Sequence, residues 1–119
     1  TQTLRDIMPM DVAKELTFTG RILNGEQAKE VGLVTRVADD PFAEAMALAA
    51  EIAGKNPDAV RAGKALYEQA WHADARTGLE LEAALQAQLI GTANQIEAVK
   101  ANFEKRAPTF QPATRTEQG

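Results

Sequence analysis

Residues able to do chemistry are few in this chain, and they are poorly spaced for it. The single histidine, His72, follows Trp71 near the end of a helical stretch. General acid–base work needs a proton partner held beside it, and the pattern supplies none, so His72 reads as a structural or exposed residue. One histidine among scattered acids does not make a metal site either, because a metal needs several converging ligands. Glu80 and Glu82 lie two apart on a helix and point to different faces. Glu26 and Glu30 are one turn apart beside Lys29, as on a solvated helix face. Asp39 and Asp40 are better explained as helix caps. Serine and cysteine are both absent, which removes serine and thiol nucleophiles, disulfides and cysteine-held zinc. Neither GxGxxG nor GxxxxGK occurs, so no phosphate loop is encoded. One cluster remains, and it is cationic. Lys100, Lys105 and Arg106 gather at the end of the last helix, where they complement the helix dipole or could hold a phosphate. No set of residues here could run a reaction unaided.

The elements that would carry these residues are mostly helical. Pro9 opens a helix with Val12, Ala13 and Leu16 at helical spacing, and Gly20 ends it in a left-handed conformation. Asn24 with Gln27 is a capping box for a short helix that Gly32 closes. Leu33-Val34-Thr35-Arg36-Val37 is β-prone and loosely alternating, and predicts a short strand. Asp40-Pro41 starts a helix carrying Phe42, Ala45, Met46, Ala49, Ile52 and Ala53, which Gly54 ends. Asn56-Pro57 starts the next, with Val60, Gly63, Tyr67, Ala70 and Trp71 as its stripe. Thr77 with Glu80 reads as a second capping box, opening a helix lined by Leu81, Leu85 and Leu89 that stops at Gly91. Thr92 or Asn94 caps the last helix, whose expected inner face is Ile96, Val99 and Phe103. Beyond Ala107-Pro108 the tail is polar and expected to be loose. The fold class that follows is mainly α with one short strand.

Composition narrows the function classes. The chain has 119 residues, 45% apolar and 25% charged, which suits one domain or part of one. Its core would be thin, because alanine supplies much of the apolar count and buries little area. Helices of this composition need something to pack against. A net charge of −4 argues against nucleic-acid binding, which wants a clustered basic surface. No run of about 18 apolar residues exists to span a membrane. The opening TQTLRDIMPM lacks the basic-then-apolar form of a secretory signal, and the cytoplasm is the expected compartment.

The stretch from Ala13 to Val37, AKELTFTGRILNGEQAKEVGLVTRV, resembles the enoyl-CoA hydratase/isomerase family, also called crotonases. The resemblance continues through the alanine-rich helix, Asn56-Pro57 and the closing EKRAPTF at Glu104–Phe110. It implies the C-terminal helical region of the α/β crotonase fold, with residues 1–37 closing the crotonase core, 38–106 forming the helical region and 107–119 a tail. The oxyanion hole and catalytic carboxylates of such enzymes would then precede Thr1, and this segment alone would be inactive. The substrate implied is an acyl-CoA thioester, with no prosthetic group and no metal. Lys105, the lysine of EKR, would meet a CoA phosphate. Phe103 would touch the nucleotide end, although the family's aromatic often sits one residue earlier, at Asn102. The family habit implies a homotrimer, often paired into a hexamer. Hydratase and isomerase chemistry both fit. The competing reading is a free-standing helical oligomerisation module without catalysis.

Overall fold

The computed structural model describes residues 2–113, and every regular element among them is helical. The chain forms two compact units, Thr1–Ala45 and Met46–Gly119.

In the first unit a 3-10 turn, Leu4–Asp6, leads to helix α1, Met10–Thr19. Pro9, at φ −58° and ψ 146°, stands just before α1 rather than inside it. Gly20 ends α1 at φ 60°, and its N–H donates to the Leu16 carbonyl at 3.0 Å. Helix α2, Gly25–Glu30, opens on the expected capping box. The Gln27 N–H donates to Asn24 Oδ1 at 2.9 Å, and the Asn24 N–H donates to Gln27 Oε1 at 3.0 Å. Gly32, at φ 83°, closes it. The Gly32 N–H reaches the Lys29 carbonyl at 3.1 Å and the Leu33 N–H reaches the Ala28 carbonyl at 2.8 Å, the paired bonds of a Schellman motif.

The strand expected over residues 33–37 is absent. A strand exists only where its N–H and C=O groups pair with a second one, and no second strand occurs among the described residues. The backbone here is spent differently: Leu33 and Val34 both donate back to the Ala28 carbonyl to finish α2. Val37 instead packs on the start of α2, where a Cβ on Gly25 would come within 3.1 Å of its Cγ1. The class is therefore helical without a strand.

Helix α3, Pro41–Ala53, begins where Asp40 Oδ1 accepts from the Ala43 N–H at 3.0 Å. In the second unit, α4 (Pro57–Ala70) is capped by Asn56, whose Oδ1 accepts from the Asp58 and Ala59 N–H groups. Helix α5, Ala75–Leu89, starts earlier than the sequence suggested. Asp74 is its cap, taking the Arg76 N–H at 3.0 Å and the Thr77 N–H at 3.1 Å. Thr77 already lies inside the helix and donates its hydroxyl to Asp74 Oδ2 at 2.6 Å. Those bonds, the hydroxyl's above all, hold the Asp74 carboxyl below its ordinary range. Glu80 is occupied by Arg76 at 2.9 Å and does not reach back to the cap. Gly91, at φ 82°, separates α5 from α6, Ala93–Phe103, and Thr92 caps α6.

Helix α4 packs chiefly on α5 and more lightly on α6. Little apolar surface is hidden by this. Among the described residues the buried apolar side chains are Met8 and Ala101, and Asn94 is the buried polar one. Leu81, Leu85 and Leu89 are half-buried along α5. The expected inner face of α6 is open instead: Ile96, Val99 and Phe103 all stand exposed, and Ala101 is its inward residue. Phe42, Met46 and Ile52 on α3 are likewise uncovered.

Candidate ligand-contact site at the end of helix α6

The cationic cluster singled out from sequence sits on a tightly built turn. Glu104 caps the end of helix α6, and Lys105 follows at φ 53°, a left-handed backbone that favours glycine. The Lys105 N–H donates to the Asn102 carbonyl at 3.2 Å and the Arg106 N–H to the Ala101 carbonyl at 3.0 Å. These are again the two bonds of a Schellman motif, now with lysine in glycine's place. An L-residue there costs roughly 1–2 kcal/mol, so the surroundings must hold it.

They do so through Arg106. Its guanidinium donates to both carboxylate oxygens of Glu97, at 2.6 and 2.9 Å, to Glu104 Oε2 at 2.6 Å, and to the Ala107 carbonyl at 3.1 Å. Two-pronged pairing of this kind fixes direction as well as distance. Glu97 takes a further bond, from the Thr109 N–H at 2.7 Å. The Arg106 bonds, then the Thr109 N–H, lower the Glu97 carboxyl from 4.5 to about 2. The same bonds raise Arg106 above its already high value.

One turn back, Asn94 continues the frame. It is 4% exposed. Its amide donates to Asp58 Oδ2 at 2.7 Å and to the Gln111 carbonyl at 3.1 Å, and its Oδ1 accepts from the Gln111 N–H at 2.8 Å. Residues 107–111, expected to be loose, are thus tied along α6 through Thr109 and Gln111, and α4 is tied to the same point through Asp58. Residues 114–119 of the expected tail lie outside the described residues.

Of the sequence-chosen residues, Lys105 is exposed and takes part in no ion pair among the described residues. Lys100 lies 3.9 Å from Glu104. Phe103 is the last residue of α6 and 82% exposed. The two candidates therefore flank the end of one helix and both face solvent. Glu97 and Asn94 were not singled out as framework residues. Glu97 is nine residues from Arg106, outside any local pairing rule, and Asn94 reads from sequence only as an alternative cap. His72 is exposed.

Each unit also has a shallow recess. One of about 300 Å³ lies among Leu4, Met8, Leu16, Thr17, Leu23 and Leu33. Another, of about 470 Å³, lies between α4 and α5 against Tyr67, Trp71 and Leu79. The Tyr67 and Trp71 rings stand 5.8 Å apart, tilted by 54°. No group of three or more histidine, cysteine or acidic residues among the described ones could hold a metal ion. No described helix is long and apolar enough to cross a membrane.

A family model described as enoyl-CoA hydratase/isomerase matches residues 1–113. The mouse mitochondrial enoyl-CoA hydratase domain-containing protein 2 is 40% identical, over 92% of this chain and 39% of its own length. Human mitochondrial methylglutaconyl-CoA hydratase is 38% identical, over 92% of this chain and 34% of its own. The solved enoyl-CoA hydratase from Bacillus anthracis superposes with a TM-score of 0.84 at 34% identity, covering 92% of this chain and 43% of that one. The chain thus spans about two-fifths of the length of the relatives it matches. Its matched portion is helical without a strand, and the likeness does not mark that portion as the C-terminal region. The expected assignment to a C-terminal region containing a strand is therefore set aside. Sequence, family model and solved structures agree on the broader point, and this chain belongs to the enoyl-CoA hydratase/isomerase family.

Proposed function

We propose that this chain is part of an enzyme acting on enoyl-CoA thioesters, that Lys105 meets a phosphate of the CoA moiety, and that Phe103 lies against its nucleotide end. The carrying observation is the state of Lys105: an exposed cation without an ion pair among the described residues, on a turn braced by Arg106 and Glu97. CoA carries its phosphates far from the thioester, so a cation that grips them orients the acyl group without touching the reacting atoms. A lysine suits this task because its compact ammonium can meet several phosphate oxygens from a flexible stem. Hydration or isomerisation of the thioester further needs oxyanion donors and proton-transferring carboxylates. We assign those to other parts of the enzyme, and expect this segment alone to be inactive. The exposed apolar faces of α3 and α6 would then pack on the rest of the enzyme or on neighbouring subunits of a homotrimer or hexamer.

The test is steady-state kinetics on crotonyl-CoA with the enzyme that carries this chain. Lys105→Ala raises KM about tenfold, the equivalent of about 1.4 kcal/mol for one charge-assisted contact, with kcat within about twofold because the thioester chemistry is untouched. An unchanged KM would overturn the assignment. The exposed apolar faces also favour a second reading, a helical oligomerisation module without catalysis. That reading requires a self-associating protein with no turnover of crotonyl-CoA.

A further inference from the structure

We propose that Glu97, acting through Arg106, is the positioning residue that holds Lys105 for phosphate contact. This rests on the reading of Lys105 given above and deepens it. The geometry is specific. Lysine ordinarily avoids the left-handed backbone found at Lys105, and its side chain has no ion pair among the described residues to steady it. What is fixed is the peptide on either side. Glu104, immediately before it, is held by Arg106 at 2.6 Å. Arg106, immediately after it, is held on both prongs by Glu97 at 2.6 and 2.9 Å. Glu97 in turn is anchored in α6 and takes the Thr109 N–H at 2.7 Å, which closes the loop 104–109 back on the helix. Glu97 is also the less exposed member of its pair, 21% against 37% for Arg106. Lys105 is thus the one residue of Glu104-Lys105-Arg106 with no ion pair among the described residues, while both neighbours are paired within the frame.

Charge alone and positioning predict opposite outcomes for one substitution. Glu97→Gln removes a negative charge near a cation and releases Arg106, so by electrostatics alone it should strengthen binding of a phosphate. If Glu97 serves to position Lys105, the same substitution weakens that binding. Crotonyl-pantetheine, which lacks the nucleotide and all its phosphates, provides the internal reference. A structural loss moves kcat/KM for both thioesters together, whereas a positioning loss moves the CoA thioester alone.

The measurement is the ratio of kcat/KM for crotonyl-CoA to that for crotonyl-pantetheine, on the enzyme that carries this chain. Lys105→Ala lowers the ratio about tenfold. Glu97→Gln lowers it about threefold, and so does Arg106→Lys, which keeps the cation and loses the planar fork. Should Lys105→Ala lower the ratio while Glu97→Gln and Arg106→Lys leave it unchanged or raise it, the positioning role is overturned and the phosphate contact stands. Should Lys105→Ala leave the ratio unchanged, the phosphate reading itself fails, and with it the role of Glu97. If Glu97→Gln lowers the yield of folded protein, Arg106→Lys decides by the same ratio.

Discussion

Replacing Lys105 by alanine and by glycine separates what its backbone costs from what its ammonium does. Both substitutions remove the charge. Only glycine relieves the left-handed conformation at φ 53°. An L-residue there costs roughly 1–2 kcal/mol, and the greater freedom of glycine in the unfolded chain takes back about 0.5–1 kcal/mol. Lys105→Gly should therefore be about 0.5–1 kcal/mol more stable than Lys105→Ala. At three other turns, Gly20, Gly32 and Gly91, the chain already places glycine at positive φ, and Lys105 is the non-glycine exception among the described residues. Retaining lysine where glycine is the better conformer makes sense if the side chain works. Urea unfolding of the two variants reads the difference as a shift in midpoint at constant slope. The kinetic partner is the loss of preference for the CoA thioester, which must be equal in both. A glycine variant no more stable than the alanine variant would refute the backbone argument. A glycine variant that kept its CoA preference would refute the role of the ammonium.

Other substitutions probe the frame and the first unit. Gly32→Ala places a Cβ 2.5 Å from the Ile7 carbonyl oxygen and forces alanine to φ 83°, whereas a Cβ on Gly20 meets nothing within 4 Å. Gly20→Ala should cost about 1 kcal/mol and Gly32→Ala about 3 kcal/mol or more; equal costs by urea unfolding would contradict the close approach. Asn94→Ala removes the bonds to Asp58 and to both backbone groups of Gln111. It should cost about 2 kcal/mol and open residues 107–111 to proteolysis, and undiminished resistance there would argue against the staple. Glu97 titrates at about 2 in the folded chain against 4.5 ordinarily. Because the folded value is the lower one, its contribution to stability is present above pH 4.5 and is lost as pH falls towards 2. Wild type and Glu97→Gln should therefore differ in thermal midpoint at pH 6 and converge near pH 2; a difference that persisted unchanged would mean the carboxylate is not the source.

The features legible from residue order alone are local ones. Asn24-Gln27, Asn56-Pro57, Asp40-Pro41, Gly20, Gly32 and Gly91 each mark a helix end, because a cap or a left-handed turn depends on residues within one turn of it. The motifs from Ala13 to Val37 and from Glu104 to Phe110 were enough to name the family. Tertiary structure decided whatever needed a distant partner. Residues 33–37 have the composition of a strand but no second strand to pair with among the described residues, and the Leu33 and Val34 N–H groups finish α2 instead. The cap of α5 is local as well, and there the sequence offered two candidates: Asp74 takes the Arg76 and Thr77 N–H groups, while Glu80, the other half of the expected box, pairs with Arg76. Lys105 could be picked from the EKR motif, but its conformation could not, since Arg106 and the Thr109 N–H both reach Glu97 only once the chain has turned back along α6. Hydrogen bonds across such separations are set by the path of the backbone, and residue spacing carries no record of it.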